Sequence, residues 1–425
     1  MSNENLESKR WFIAIAAIIM QLCLGTVYAW SVFKKPLMGA HHWAETETQM
    51  AFIIFMFVVG IAAAFGGTLV DKKGPRFVAT TGGILFGLGT LLSGFADQIG
   101  SLAVLYLGYG LIGGLGNGFC YVTPIATLIR WFPDKRGLVT GLAVMGFGFG
   151  AFFMGQIAPK MIIAYKGGMT ASGVAATFYI WGFIFLVLVM GAAQLFKNPP
   201  TGWLPAGFTP PTTTVSAAES FTFGDAAKTP QWWMLWAMLF LNVSAGLGLI
   251  SQLSPIAQDL YKPLTDPKLS PENLIKVLAT AGGSVVAYSA IFNGLGRLFW
   301  ARLSDTIGRK AVFATMFATQ AVIYALVATG FISGYYLFLV AACYLLSCYG
   351  GGFATMPAFA ADSFGPGYIG KVYGFMLTAW ACAGVAGPLV FAQMKRSEAL
   401  LVAAGLLCIG LVITLVFKRP ERKKA

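Results

Sequence analysis

The chain has 425 residues, 57% of them hydrophobic and only 11% charged, where a soluble domain carries roughly 25% charged residues. So few ionisable side chains exclude a soluble protein of this length. The net charge of +13 comes with no separate basic domain, which argues against nucleic-acid binding.

Apolar blocks of about 20 residues, the length that crosses ~30 Å of hydrocarbon, recur along the chain. They predict spanning helices at 11–33, 48–70, 77–95, 102–129, 137–158 and 174–196. A second set runs 230–256, 275–303, 311–333, 335–361, 372–393 and 397–418. The first block is a full span, longer than the h-region of a cleavable signal, so no signal peptide is expected. Between the sets, Lys197 to Lys228 holds Pro199, Pro200, Pro205, Pro210 and Pro211 followed by Thr212, Thr213 and Thr214, the composition of a linker. The expected organisation is therefore a six-helix bundle over 1–196, a cytoplasmic linker over 197–228 and a second six-helix bundle over 229–425 with a short basic tail.

The halves repeat. Asp71, with Lys72, Gly74 and Arg76 after it, follows block 2; Asp305, with Gly308, Arg309 and Lys310, follows block 8, 234 residues later. Arg136 and Lys371, after blocks 4 and 10, are 235 apart. Two landmarks at nearly one offset indicate an internal duplication. With both termini cytoplasmic, cytoplasmic segments hold 19 of the 29 Lys and Arg, outer loops hold 9, and Arg297 lies within a span. That bias predicts this orientation, in a plasma or inner membrane.

The six cysteines lie in apolar blocks without CxxC spacing and read as small buried hydrophobes. His41 and His42 are the only histidines; they read as solvated residues of the first outer loop and cannot build a metal cluster. Gly146, Gly148 and Gly150 lack the lysine of a phosphate loop and read as helix-packing glycines. No catalytic triad, redox motif or cofactor motif is present, so neither an enzyme nor a cofactor is expected.

Arg297 is the candidate centre. It lies eight residues, about 12 Å along a helix, before Asp305, which puts it near mid-membrane. A central arginine costs roughly 2.5–3.5 kcal/mol on insertion scales. One reading pairs it with a buried carboxylate, yet all 16 Asp and Glu fall in loops, tails or span ends. An arginine with no acid at its depth suits an anionic substrate gripped through paired N–H donors. Asn293, one turn earlier on the same face, either lines that site or bridges helices.

The loop G-T-L-V-D-K-K-G-P-R (Gly67 to Arg76) and its copy Ala301 to Lys310 resemble the signature loop of the major facilitator superfamily. Tyr28-Ala29-Trp30-Ser31, R-W-F-P-D-K-R-G (Arg130 to Gly137), T-P-Q-W-W (Thr229 to Trp233) and F-N-G-L-G-R (Phe292 to Arg297) resemble its oxalate/formate antiporter and monocarboxylate transporter branch. The resemblance implies an all-α membrane protein of twelve transmembrane helices in two pseudo-symmetric six-helix bundles. In animal monocarboxylate transporters the position of Asn293 is commonly aspartate; the neutral amide here leaves the arginine's charge free for substrate.

By the same resemblance helices 1 and 4 line a central cavity. That raises Tyr28 as a contact or gating residue, with a packed aromatic as the equal alternative. Asn117 and Tyr121, at i and i+4, either line the cavity or bridge helices. In relatives that exchange oxalate, a lysine lies seven residues after the tyrosine of Y-G-F; here Tyr373-Gly374-Phe375 is followed at that place by Trp380. One cation in place of two favours a monocarboxylate such as lactate, pyruvate, formate or acetate over oxalate. Asp71, Arg76, Asp305 and Arg309 are expected to latch the cytoplasmic gate. The expectation is a secondary transporter, a monomer in the lipid bilayer, moving a small organic anion with a proton or in exchange for a counter-anion.

Overall fold

The computed structural model describes residues 3–165, 173–200, 203–208, 220–365 and 368–420. In hydrocarbon a backbone must satisfy its own hydrogen bonds, and every apolar block is helical. The twelve spans are α1 (Leu6–His41), α2 (Glu45–Val70), α3 (Pro75–Ile99), α4 (Leu102–Trp131), α5 (Gly141–Ala164) and α6 (Gly173–Leu195) in one half. The other half holds α7 (Pro230–Ile250), α8 (Pro271–Ile307), α9 (Arg309–Ala328), α10 (Tyr335–Phe364), α11 (Lys371–Gln393) and α12 (Arg396–Val416).

The duplication read from two loops extends to the packing. In the first half α1 packs on α5, α2 on α4 and α3 on α6; in the second, α7 packs on α11, α8 on α10 and α9 on α12. Each pair maps onto its counterpart by adding six to both labels. Across the seam α2 meets α11 and α5 meets α8, contacts that the same operation exchanges. Close approach at the seam depends on small residues. A Cβ on Gly148 of α5 would sit 2.7 Å from the Gly294 Cα of α8, so a side chain there would force the helices apart. This agrees with the packing reading of that glycine.

Several spans depart from the predicted bounds by a few residues, and two of these departures bear on the seam. Block 230–256 is not one helix: α7 stops at Ile250, and a short helix, Leu253–Tyr261, follows a turn at Ser251 and Gln252. Pro255 fits that restart, because the first turn of a helix has no use for the missing N–H. α1 runs past the predicted Phe33 to His41, with a 3₁₀ segment over Thr26–Ala29. Its extension carries Lys34 and Lys35, and hydropathy cannot foresee that both find partners. Of the linker, 201–202 and 209–219 lie outside the described residues; Thr222 caps the short helix Phe223–Ala227, and the Phe221 N–H donates to the Phe364 carbonyl at 2.8 Å.

Candidate functional site

The 3₁₀ segment of α1 carries Tyr28 into the seam, where its hydroxyl lies 2.7 Å from that of Tyr349 on α10. From there, aromatic contacts close into a ring. Tyr28 meets Phe147 edge-on at 5.2 Å between centroids, Phe147 meets Tyr121 at 5.2 Å, and Tyr121 meets Trp380 at 5.2 Å. Trp380 meets Phe353 at 5.3 Å, Phe353 meets Tyr349 at 5.4 Å, and Tyr349 returns to Tyr28 at 5.7 Å. Three members come from the first half and three from the second, all buried. Edge-to-face pairs of this kind contribute roughly 0.5–1.5 kcal/mol each beyond the area they bury. The ring therefore joins the halves as well as walling off water.

Arg297 belongs to this ring. It is 2% exposed, its Cζ lies 5.6 Å from the Phe353 ring centroid, and the Tyr28 and Tyr121 hydroxyls are its polar neighbours. Its Nε and Nη1 have no hydrogen-bond partner, and among the described residues no carboxylate pairs with it. Both amide atoms of buried Asn293, one turn away, are likewise unpartnered, as is the Trp380 indole N–H. Buried polar groups are nearly always paired, and an unpaired one costs about 1–3 kcal/mol. Four N–H-bearing atoms are concentrated here with one fixed positive charge among aromatic walls, an arrangement whose chemistry suits a small anion.

Gly350 makes this geometry possible. A Cβ there would come 3.1 Å from the Arg297 Cγ and closer still to Asn293. Tyr349, Phe353, Phe147 and Gly350 were not foreseen from sequence. The signal existed: the 234-residue offset carries Gly116-Asn117-Gly118-Phe119 onto Gly350-Gly351-Gly352-Phe353.

Other candidates sit elsewhere. The Asn117 amide donates to the Leu24 carbonyl at 3.0 Å, and Gln21 donates to the Tyr121 carbonyl at 3.1 Å, so both bridge α1 and α4 just before the 3₁₀ segment. Arg309 pairs with Asp305 at 2.5 Å and Asp362 at 3.2 Å, joining α8, α9 and α10 inside one half. Arg76 donates to the Gln194 carbonyl, joining α3 and α6 inside the other. The Asp71 side chain lies outside the described residues.

At the end of the molecule away from the termini, the seam is closed by polar contacts. Lys35 pairs with Asp259 at 2.8 Å, Arg396 reaches the same carboxylate, and Gln252 donates to Glu45 at 2.6 Å. Burial opposes ionisation of Asp259, but Lys35 and Arg396 outweigh it and hold the carboxyl below its ordinary range. Two sequence readings change here. His41 is no solvated loop residue: it ends α1, lies 2.7 Å from buried Asp97 and stacks on Trp43. Lys34 is likewise buried, paired with Glu45 at 2.9 Å. Cys382 and Cys408 are exposed on the helix surface, unlike the four buried cysteines.

Residues 11–266 and 269–425 match the family model described as Major Facilitator Superfamily. The chain is 29% identical to the oxalate:formate antiporter of Oxalobacter formigenes, over 90% of this chain and 84% of that one. It is 35% identical to monocarboxylate transporter 13 of Rattus norvegicus over 33% of each, and 24% identical to apicoplast pyruvate carrier 1 of Toxoplasma gondii over 97% of this chain and 89% of that one. A solved bacterial homolog of the human lysosomal transporter Spinster matches with a TM-score of 0.70 at 13% identity over 96% of both chains, a likeness of fold alone.

Proposed function

This chain belongs to the Major Facilitator Superfamily, and on that premise we propose that it moves a small monocarboxylate across the membrane by alternating access, together with a proton. The observation that carries this reading is the buried guanidinium of Arg297, without a carboxylate partner among the described residues and set in a ring to which both halves contribute. A carboxylate held there neutralises Arg297, accepts from the Asn293 amide and satisfies donors that otherwise stay unpaired. Because the ring belongs to both halves, binding at it is coupled to their relative position.

A single cation balances a single carboxylate, and Trp380 adds apolar wall for a short alkyl substituent. In this reading the ion pairs around Arg309, and the Arg76 contact to α6, keep each half rigid so that the halves rock as bodies. Substituting Asp71 or Asp305 then slows interconversion more than it weakens binding. The protein works as a monomer with both termini cytoplasmic, in the plasma or inner membrane.

Oxalate/formate exchange is the second reading, favoured by the relative of that name across most of the chain. Influx of labelled lactate, pyruvate, formate and oxalate into proteoliposomes separates the two. Symport gives accumulation under an acid-outside gradient with nothing inside; exchange gives influx only when an anion is loaded within.

A further inference from the structure

The sealed end of the seam contains a carboxylate with unusual company. Glu45 opens α2, and its Oε1 accepts from Lys34 of the same half at 2.9 Å and from Gln252 of the opposite half at 2.6 Å. The Lys34 side chain is 1% exposed, so its charge has been taken out of water and rests on this one carboxylate. Gln252 also donates to the Phe391 carbonyl at the end of α11, and Ser254 donates through its backbone to the Ser31 hydroxyl, so the contact closes around the pair. One turn along α2, on the same face as Glu45, Gln49 is fully buried with neither amide atom partnered. Trp30, one turn from Lys34, is buried with its indole N–H unpartnered. These groups extend the polar line from Glu45 inward.

We propose that Glu45 is the proton-binding group of the transport cycle, and that protonating it unseals this end of the seam. The proposal deepens the proton-coupled reading above and rests on it. Of this pair only Lys34 is buried, while the Glu45 side chain is 44% exposed and open to protons; neutralising it strands the buried ammonium as an uncompensated charge, a destabilising arrangement. Protonated Glu45 no longer balances Lys34, and the shortest relief is for the halves to part and let water reach the ammonium. The opened mouth then presents a free lysine to an incoming carboxylate. Closing the seam restores the pair as the proton passes from Glu45 to the carboxylate of the entering substrate, which carries it across and releases it on the other side. The other charged group acting on Glu45 is Arg396 at the start of α12; Lys35 on α1 acts on Lys34, and Asp259 on the Leu253–Tyr261 helix faces Lys35 and Arg396. On its own helix Glu47 is turned away, bonded to the Ala44 N–H. Lys35 and Arg396 already share Asp259, which leaves Glu45 as the partner of Lys34.

Glu45→Gln keeps the size and the Gln252 contact while fixing the neutral form. In proteoliposomes, uptake of labelled monocarboxylate driven by an acid-outside gradient should fall about tenfold or more, while exchange of labelled for unlabelled substrate at equal pH persists. Asp259→Asn should keep the response to the gradient. Gradient-driven uptake at the wild-type level in Glu45→Gln overturns the proposal. A substrate-free arm separates it from the choice of cargo: spin labels at the exposed positions 42 and 268, with Cys382 and Cys408 replaced, report the distance across this end. Acidification should widen it in the wild type and leave Glu45→Gln unchanged; an identical pH response in both refutes the role of Glu45 whatever the substrate. Should Glu45→Gln fail to assemble, Lys34→Leu with Glu45→Leu removes the pair without stranding a charge, and it should lose the same pH response.

Discussion

The hydroxyls of Tyr28 and Tyr349 meet at 2.7 Å although the residues are 321 positions apart, one on α1 and one on α10. That single contact crosses the seam beside Arg297, so the state of the binding site and the separation of the halves are read by the same atoms.

Losing one hydroxyl of the pair should cost about 1 kcal/mol, roughly a fivefold change in the balance between sealed and open forms. Tyr28→Phe and Tyr349→Phe should each shift the transport rate by about that factor. The double variant should do no more than either alone, because the two share one bond. Additive effects in a double-mutant cycle of uptake rates would mean that the hydroxyls act separately.

Trp380 closes the ring at the place where, by the resemblance, relatives that exchange oxalate carry a lysine. Trp380→Lys should let oxalate compete with monocarboxylate for uptake, provided the purified variant elutes as the wild type does. It also removes edge contacts to Tyr121 and Phe353, worth about 0.5–1.5 kcal/mol each, so a lower melting temperature is expected. Unchanged exclusion of oxalate would count against the assigned role of this residue.

Gly350→Ala should act through Asn293. The added methyl has no room between α8 and α10, and overpacking of this kind costs about 1–3 kcal/mol. Melting temperature and substrate affinity should fall together. Gly374→Ala, where nothing lies within 4 Å of the new carbon, is the control and should leave both intact. Equal behaviour of the two variants would show that close approach at Gly350 is dispensable.

Asp259 sits outside the spans with its carboxyl held below the ordinary range by Lys35 and Arg396, against the opposing effect of burial. A depressed acid contributes stability above its unfolded value and loses it as the pH falls through the folded one. The stability difference between wild type and Asp259→Asn should therefore stay flat through neutral pH and vanish only in acid below the usual aspartate range. High salt should shrink it, since the pairs are half exposed. A difference that changes near pH 7 would point to another group.

The twelve spans and the duplication were legible because both are written in long-range composition: about 20 apolar residues per crossing, and Asp71 and Asp305 at one offset. Arg297 and Asn293 were legible because a charge and an amide within a span are rare. The partners Tyr349, Phe353 and Phe147 were not, since an aromatic residue in an apolar helix looks like any other core side chain. Only the repeat offset from Gly116 would have singled out Gly350. Lys34, read as part of an outer loop, shows the limit of hydropathy: α1 continues past its apolar block because Glu45 is there to receive the charge.

The most direct measurement is binding of lactate, pyruvate, formate and acetate to the purified protein and to Arg297→Lys, followed by thermal shift. Lysine keeps the charge and loses the fork of N–H donors. The account predicts saturable stabilisation of the wild type by at least one of these acids and affinity weaker by about tenfold or more in the variant, with the unliganded variant still folded. Equal affinity of the two proteins for the same carboxylate would contradict it.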